Sequence, residues 1–233
     1  GTVIDYTHYY YGATKLQAGA VANSALTMSQ TEKTSATRPV AGTISNNTKS
    51  ITYYIGDVSL EQSDYTIKYA NSSVVDYTAY YYDVSGTATR ANNGTTINSK
   101  LSLSHTTTGA VATGAAPQAT TKSITSYAGT VGNEQSDITT KYAGTTAIDY
   151  TYYYYSATNQ VAGASVNTFL KTSQTQSTLA RPATAGTADA NTKSITSYLG
   201  KVGEEQSDIT TKYAAGTVID YTHYYYGATK LQA

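Results

Sequence analysis

Cysteine and tryptophan are absent from the 233 residues, phenylalanine and methionine occur once each, and proline occurs three times. Without cysteine there is no disulfide staple, no thiolate nucleophile and no sulfur-ligated metal. Charge is scarce too: Lys plus Arg equal Asp plus Glu at 15 each, and charged residues make up 13% of the chain, against roughly 25% in ordinary soluble domains. So sparse and balanced a charge supplies no long-range field for nucleic acid or an anionic membrane. No run of about 18 apolar residues is present, so membrane insertion is not expected, and the first residues lack the basic-then-apolar pattern of a signal peptide. The zinc-helix, P-loop, dinucleotide and nucleophile-elbow motifs are also missing. The sequence therefore points to no enzyme, catalytic residue, cofactor or metal.

What the chain does have is repetition, the feature to look for before any other. Asp-Tyr-Thr begins at Asp5, Asp76, Asp149 and Asp220, and each instance continues as x-Tyr-Tyr-Tyr. Thr-Lys-Ser-Ile-Thr begins at Thr48, Thr121 and Thr192, and Glu-Gln-Ser-Asp at Glu61, Glu134 and Glu205, each followed by Lys-Tyr at Lys68, Lys141 and Lys212. Constant blocks 48–82, 121–155 and 192–226 align without a gap, and the variable blocks between them carry all three prolines. Even these keep one phrase, in which Leu26, Leu101 and Leu170 stand three residues before Ser29, Ser104 and Ser173. The copies are 1–70, 71–143 and 144–215, and 216–233 begins the next with the same residues as 1–18. The chain reads as one super-repeat, plus overlap, cut from a longer tandem array.

β-Branched and aromatic residues dominate the constant blocks, glycine punctuates them, and no apolar recurrence at three and four residues supports a helix. Lys68 to Asp76, Lys141 to Asp149 and Lys212 to Asp220 are each eight residues apart across a short Asn, Gly, Ser and Thr connector, which predicts a β-hairpin. The expected fold is all-β: antiparallel hairpins in tandem repeats of 71–73 residues stacked into an elongated array, with serial small β-sandwiches as the alternative. Large aliphatic residues are few, so a single copy has too little to bury to offset the ordering of its backbone, and neighbours must complete its core.

Tyrosine is abundant, with 25 residues. Stacked copies would align equivalent rings, and Tyr6, Tyr9, Tyr77, Tyr80, Tyr150, Tyr153, Tyr221 and Tyr224 are the candidate assembly ladder. Asp5, Asp76, Asp149, Glu61, Glu134, Glu205, Lys68, Lys141 and Lys212 recur as ion-pair or turn positions. Carboxylates on neighbouring loops could hold Ca²⁺ and a Lys beside Asp could form an isopeptide bond, but cross-strand ion pairs and turn hydrogen bonds account for the same residues. His8 and His223 share one repeat position, which Ala79 and Tyr152 fill elsewhere, so a surface or ladder role is expected there.

The pattern TKSIT-x-Y-x-G-x-V-x-x-EQSD-x-T-x-KYA followed by DYT-x-YYY resembles the tandem β-repeats of very long bacterial cell-surface and adhesin-like proteins. That resemblance implies an extracellular or cell-surface fibre or coat. The expected function is a structural filament, sheath or fibre whose partner is itself, as neighbouring repeats or identical subunits. The alternative is an adhesin or glycan-binding module using exposed tyrosines.

Overall fold

A computed structural model describes residues 5–17, 23–34, 37–91, 96–226 and 231–232, and among them every regular element is a β-strand. The chain divides into two compact units, Gly1–Lys122 and Ser123–Ala233. The division falls inside the copy 71–143, so the compact units are not the sequence copies.

In the first unit the strands are β1 (Tyr6–Tyr11), β2 (Leu16–Gln17), β3 (Leu26–Glu32), β4 (Thr48–Ile55), β5 (Gln62–Ala70), β6 (Ser73–Val84), β7 (Thr87–Arg90) and β8 (Leu101–Thr107). Their order is β2-β1-β3-β4-β5-β6-β8, all antiparallel, with β7 beside the end of β6. β9 (Thr121–Ala128) begins in the last two residues of the first unit and lies mainly in the second, followed by β10 (Gln135–Ala143), β11 (Thr146–Tyr155), β12 (Gln160–Val161), β13 (Leu170–Gln176), β14 (Thr192–Leu199), β15 (Gln206–Ala214) and β16 (Thr217–His223). Here the order is β9-β10-β11-β13-β14-β15-β16, with β12 beside β11. β17 (Tyr225–Tyr226) and β18 (Leu231–Gln232) pair with each other.

Each copy thus supplies four main strands: a first strand (β1, β6, β11 and, in the last partial copy, β16), a second (β3, β8, β13), a third (β4, β9, β14) and a fourth (β5, β10, β15). The fourth strand of one copy and the first of the next form the hairpin expected from the eight-residue spacing, with Lys68 opposite Asp76, Lys141 opposite Asp149 and Lys212 opposite Asp220. Those hairpins turn through left-handed residues, Asn71 and Ser72 at φ 50 and 66, Gly144 at φ 64, and Ala215 and Gly216 at φ 48 and 78, the backbone that a tight right-twisted hairpin demands. Copy boundaries therefore fall in turns of a running ladder. Within each unit the described strands, apart from the β17–β18 pair, form one layer rather than a sandwich.

A single layer needs a cover, and the long connection after each second strand provides it. In the first unit, Tyr10, Met28, Ile51 and Tyr69 form one buried cluster with Ala41 of the 33–47 connection against it. Ala79, Tyr81 and Ala112 form another, and Ala112 comes from the corresponding 108–120 connection. Alternation along the strands then leaves a second, open face.

Candidate functional site

The covered face is held by polar residues as much as by apolar ones. Two fully buried glutamines, Gln30 and Gln174, occupy the same place on β3 and β13, and buried His105 takes it on β8. Gln30 donates from Nε2 to the Thr43 carbonyl at 2.8 Å and accepts from the Gly42 amide at 3.1 Å. Gln174 repeats this with Thr187 at 2.9 Å and Gly186 at 3.0 Å. His105 faces the Gly114 carbonyl with Nδ1 at 2.8 Å and the Thr121 hydroxyl with Nε2 at 2.7 Å. Since a carbonyl only accepts, Nδ1 carries the proton and Nε2 accepts from Thr121. The buried third-strand threonines Thr48, Thr121 and Thr192 accept amides from the same connections, Ser45 at 2.9 Å, Gln118 at 2.7 Å and Asp189 at 2.9 Å. This set of hydrogen bonds straps each connection over its sheet.

Arginine supports the tyrosines beneath the straps. Arg181 lies 4.8 Å from the centroid of the Tyr152 ring and pairs with Asp137. Arg38 lies 5.1 Å from the Tyr10 ring and donates to the Tyr9 carbonyl at 2.7 Å. The copy 71–143 has no arginine in its connection, and Arg90, from the other variable stretch, takes the role: it pairs with Asp64 and lies 5.8 Å from the Tyr81 ring. Burial pushes the hydroxyls of Tyr81 and Tyr154 up from their usual pKa, and the neighbouring Arg90 and Arg181 draw them partway back. Burial raises Tyr155 strongly.

The open face is a field of hydroxyls. Register places Tyr9, Ser29, Thr52, Thr66, Thr78 and Thr106 in one row across the first unit. Tyr153, Ser173, Thr196, Thr210 and Thr222 form the matching row in the second. Hydroxyls bond in pairs, Thr52 to Thr66 at 2.8 Å, Thr78 to Thr106 at 3.0 Å, Thr125 to Thr139 at 2.8 Å and Thr196 to Thr210 at 2.8 Å. Tyrosines lie over them: Tyr80 reaches Thr66 at 3.2 Å, Tyr153 reaches Thr139 at 3.1 Å and Tyr224 reaches Thr210 at 3.3 Å.

The eight candidate ladder tyrosines thus divide between the faces. Tyr80, Tyr153 and Tyr224 tie a first strand to the preceding copy's fourth on the open face, where Tyr9 is 45% exposed. Tyr6, Tyr77, Tyr150 and Tyr221 lie on the other face, the last three near the hairpin turns. The rings that are most deeply buried, Tyr10, Tyr81, Tyr152 and Tyr154, are their neighbours in the same motif. Tyr53 and Tyr65 stack with centroids 4.6 Å apart across β4 and β5. His8, expected at a surface or in a ladder, is buried, as are Ala79 and Tyr152 at its repeat position.

The recurring charges take specific partners. Glu61 and Glu205 each accept an amide of the preceding variable block's leucine, Leu26 at 2.9 Å and Leu170 at 3.1 Å, at the bulge where the first strand meets the second. Glu134 has an interaction of its own. Asp5, Asp76 and Asp149 pair with the third-strand lysines Lys49 (2.7 Å), Lys122 (2.6 Å) and Lys193. A bulge drives this choice. Thr31 faces Ser50 while Glu32 faces Thr48, so Lys49 is the extra residue, turned out across β3 towards Asp5. The same shift recurs around Lys193. Lys212, whose Asp220 has no such lysine in the chain, pairs with that hairpin partner at 3.3 Å.

Two recesses stand out. One of about 480 Å³ in the first unit is walled by Lys33, Lys49, Lys68, Tyr69 and Val75. The other, about 210 Å³ in the second unit, is lined by Glu134, Gln135, Asn167, Thr168 and Val202. Among the described residues no three His, Cys, Asp or Glu side chains gather as a metal site, and no helix is long and apolar enough to cross a membrane. Compared with known proteins, the chain matches no family model and no curated protein.

Proposed function

We propose that the chain is a structural element of an extracellular surface filament, sheath or fibre, built by running its Tyr- and Thr-rich copies one after another in β-sheet. The carrying observation is that copy junctions are hairpins of the sheet, cross-linked by side chains of both copies. Arg90 of one copy pairs with Asp64 of the preceding one, and Arg181 with Asp137. Tyr82 and Tyr155 donate back across the junction to the Ser63 and Ser136 carbonyls, each at 3.0 Å. A module meant to act alone would close its core at its boundary, whereas here side-chain hydrogen bonds and ion pairs cross it.

The adhesin reading, with tyrosines as stacking platforms for sugars, draws on the exposure of Tyr9, Tyr221 and Tyr225. The tied hydroxyls of Tyr80 and Tyr153 favour the structural one. The test is electron microscopy of chains carrying one, two and three of the 215-residue super-repeats. Particle length rising by a constant increment per super-repeat is expected. Globular particles whose length does not follow repeat number would overturn the proposal.

A further inference from the structure

Repetition leaves a lysine over. Lys68 stands opposite Asp76 in the β5–β6 register, but the Asp76 carboxylate lies 2.6 Å from Nζ of Lys122, a third-strand lysine of the following copy. Lys141 likewise loses Asp149 to Lys193. Only Lys212 keeps its hairpin aspartate, Asp220, at 3.3 Å. The fourth-strand lysine is therefore a cation whose natural partner is taken by the next copy.

In the first unit this surplus cation does not stand alone. Lys68 walls the recess of about 480 Å³ together with Lys33 and Lys49, a volume within the roughly 300–1,000 Å³ typical of small-ligand sites. Lys49 is committed to Asp5 at 2.7 Å. Lys33 is held by a neutral acceptor, the Asn46 carbonyl, at 3.3 Å. Three ammonium groups thus meet one carboxylate. The remaining wall is Ser50, Tyr69, Ala70 and Val75, and Val75 is 42% exposed. Two ammonium groups not paired to a carboxylate match the charge of a single carboxylate, while the chain, with Lys plus Arg equal to Asp plus Glu at 15 each, lacks the broad basic field that a phosphate polymer calls for. The apolar floor suits the C–H face of a ring.

We propose that this recess binds a uronic-acid residue of an acidic polysaccharide, its carboxylate between Lys33 and Lys68 and its ring against Ala70 and Val75. Lys33 is what confines the site to the first copy, since Thr108 and Ser177 stand at its place in the others. This goes beyond the structural reading and does not depend on it, because ligand binding and particle length are measured separately. A fibre with such a recess would carry acidic glycan at one place per super-repeat.

The experiment is a calorimetric titration of the full chain with tri-galacturonic acid, its neutral methyl ester and acetate. Saturable binding of the acid is expected, weakened by added salt, with no heat from the ester and far weaker binding of acetate. The Lys33→Thr, Lys68→Gln double variant should lose roughly fivefold or more in affinity, while Lys141→Gln should bind as the parent chain does. Unchanged melting of the variants confirms that the fold is intact. Equal binding of the ester, equal binding of acetate, an unaffected double variant or no saturation at all would each overturn the proposal.

Discussion

His105 fills a place where the sister copies have Gln30 and Gln174, and the three side chains do the same work, bonding a carbonyl of the connection above them. Only the imidazole can titrate near neutrality. Burial lowers its pKa below the ordinary 6.5, against a smaller opposing effect of the Gly114 carbonyl. The unfolded chain therefore takes up the proton first. Stability is fully present above about pH 6.5 and falls as pH drops towards the lowered folded value, at most by about 1.4 kcal/mol per pH unit. The strap over β8 should loosen first. His105→Gln, which installs the sister residue, should flatten the dependence of melting temperature on pH between 7.5 and 5, measured by circular dichroism. A variant with the parent's slope would mean that acid acts elsewhere.

Elements differ sharply in how legible they were. The hairpins joining fourth and first strands could be read from an eight-residue spacing, because alternation and turn chemistry are local properties of the chain. Which lysine each aspartate takes could not: Lys49 is 44 residues from Asp5, and it arrives by a bulge that no residue type announces. Nor could the straps, since Gln30, His105 and Gln174 look like any polar residue of a strand until a connection closes over them. The arginine supports were hidden for another reason. Arg38 and Arg181 share a place in the variable connection, but Arg90 reaches its tyrosine from a different segment, so alignment of the copies cannot find the substitution. The turn between third and fourth strands was marked by Gly56, Gly129 and Gly200, and its stringency is steric. Gly200 sits at φ +126, and a Cβ there would lie 2.6 Å from the Glu204 carbonyl oxygen. Gly200→Ala should cost about 1–3 kcal/mol or more in denaturant unfolding. Ala at Gly203, where nothing lies within 4 Å of the added carbon but φ is +79, should cost less, and a reversed order would contradict this account of the turn.

At the scale of the molecule, the scarcity of large aliphatic side chains becomes a rule about minimum size. Cut out as residues 71–143, the middle copy would lose β5 from one side of β6, the Asp64 carboxylate that pairs with Arg90, and the Ser63 carbonyl that holds Tyr82. On its other flank β10 would lose β11, together with the hydroxyl of Tyr153 over Thr139 and the Arg181 that pairs with Asp137. Both outer strands would then present open edges rich in Tyr, Thr and Ile, which is the condition for edge-to-edge aggregation. The isolated copy should therefore give a disordered or aggregating sample, seen as collapsed dispersion or broadening in proton–nitrogen correlation spectra. The 233-residue chain should melt cooperatively under the same conditions. A monomeric 71–143 fragment with dispersed resonances and a sharp melt would show that each copy carries its own core. Contacts across the copy boundary would then be ornament, and the case for copies that complete one another would fail with them.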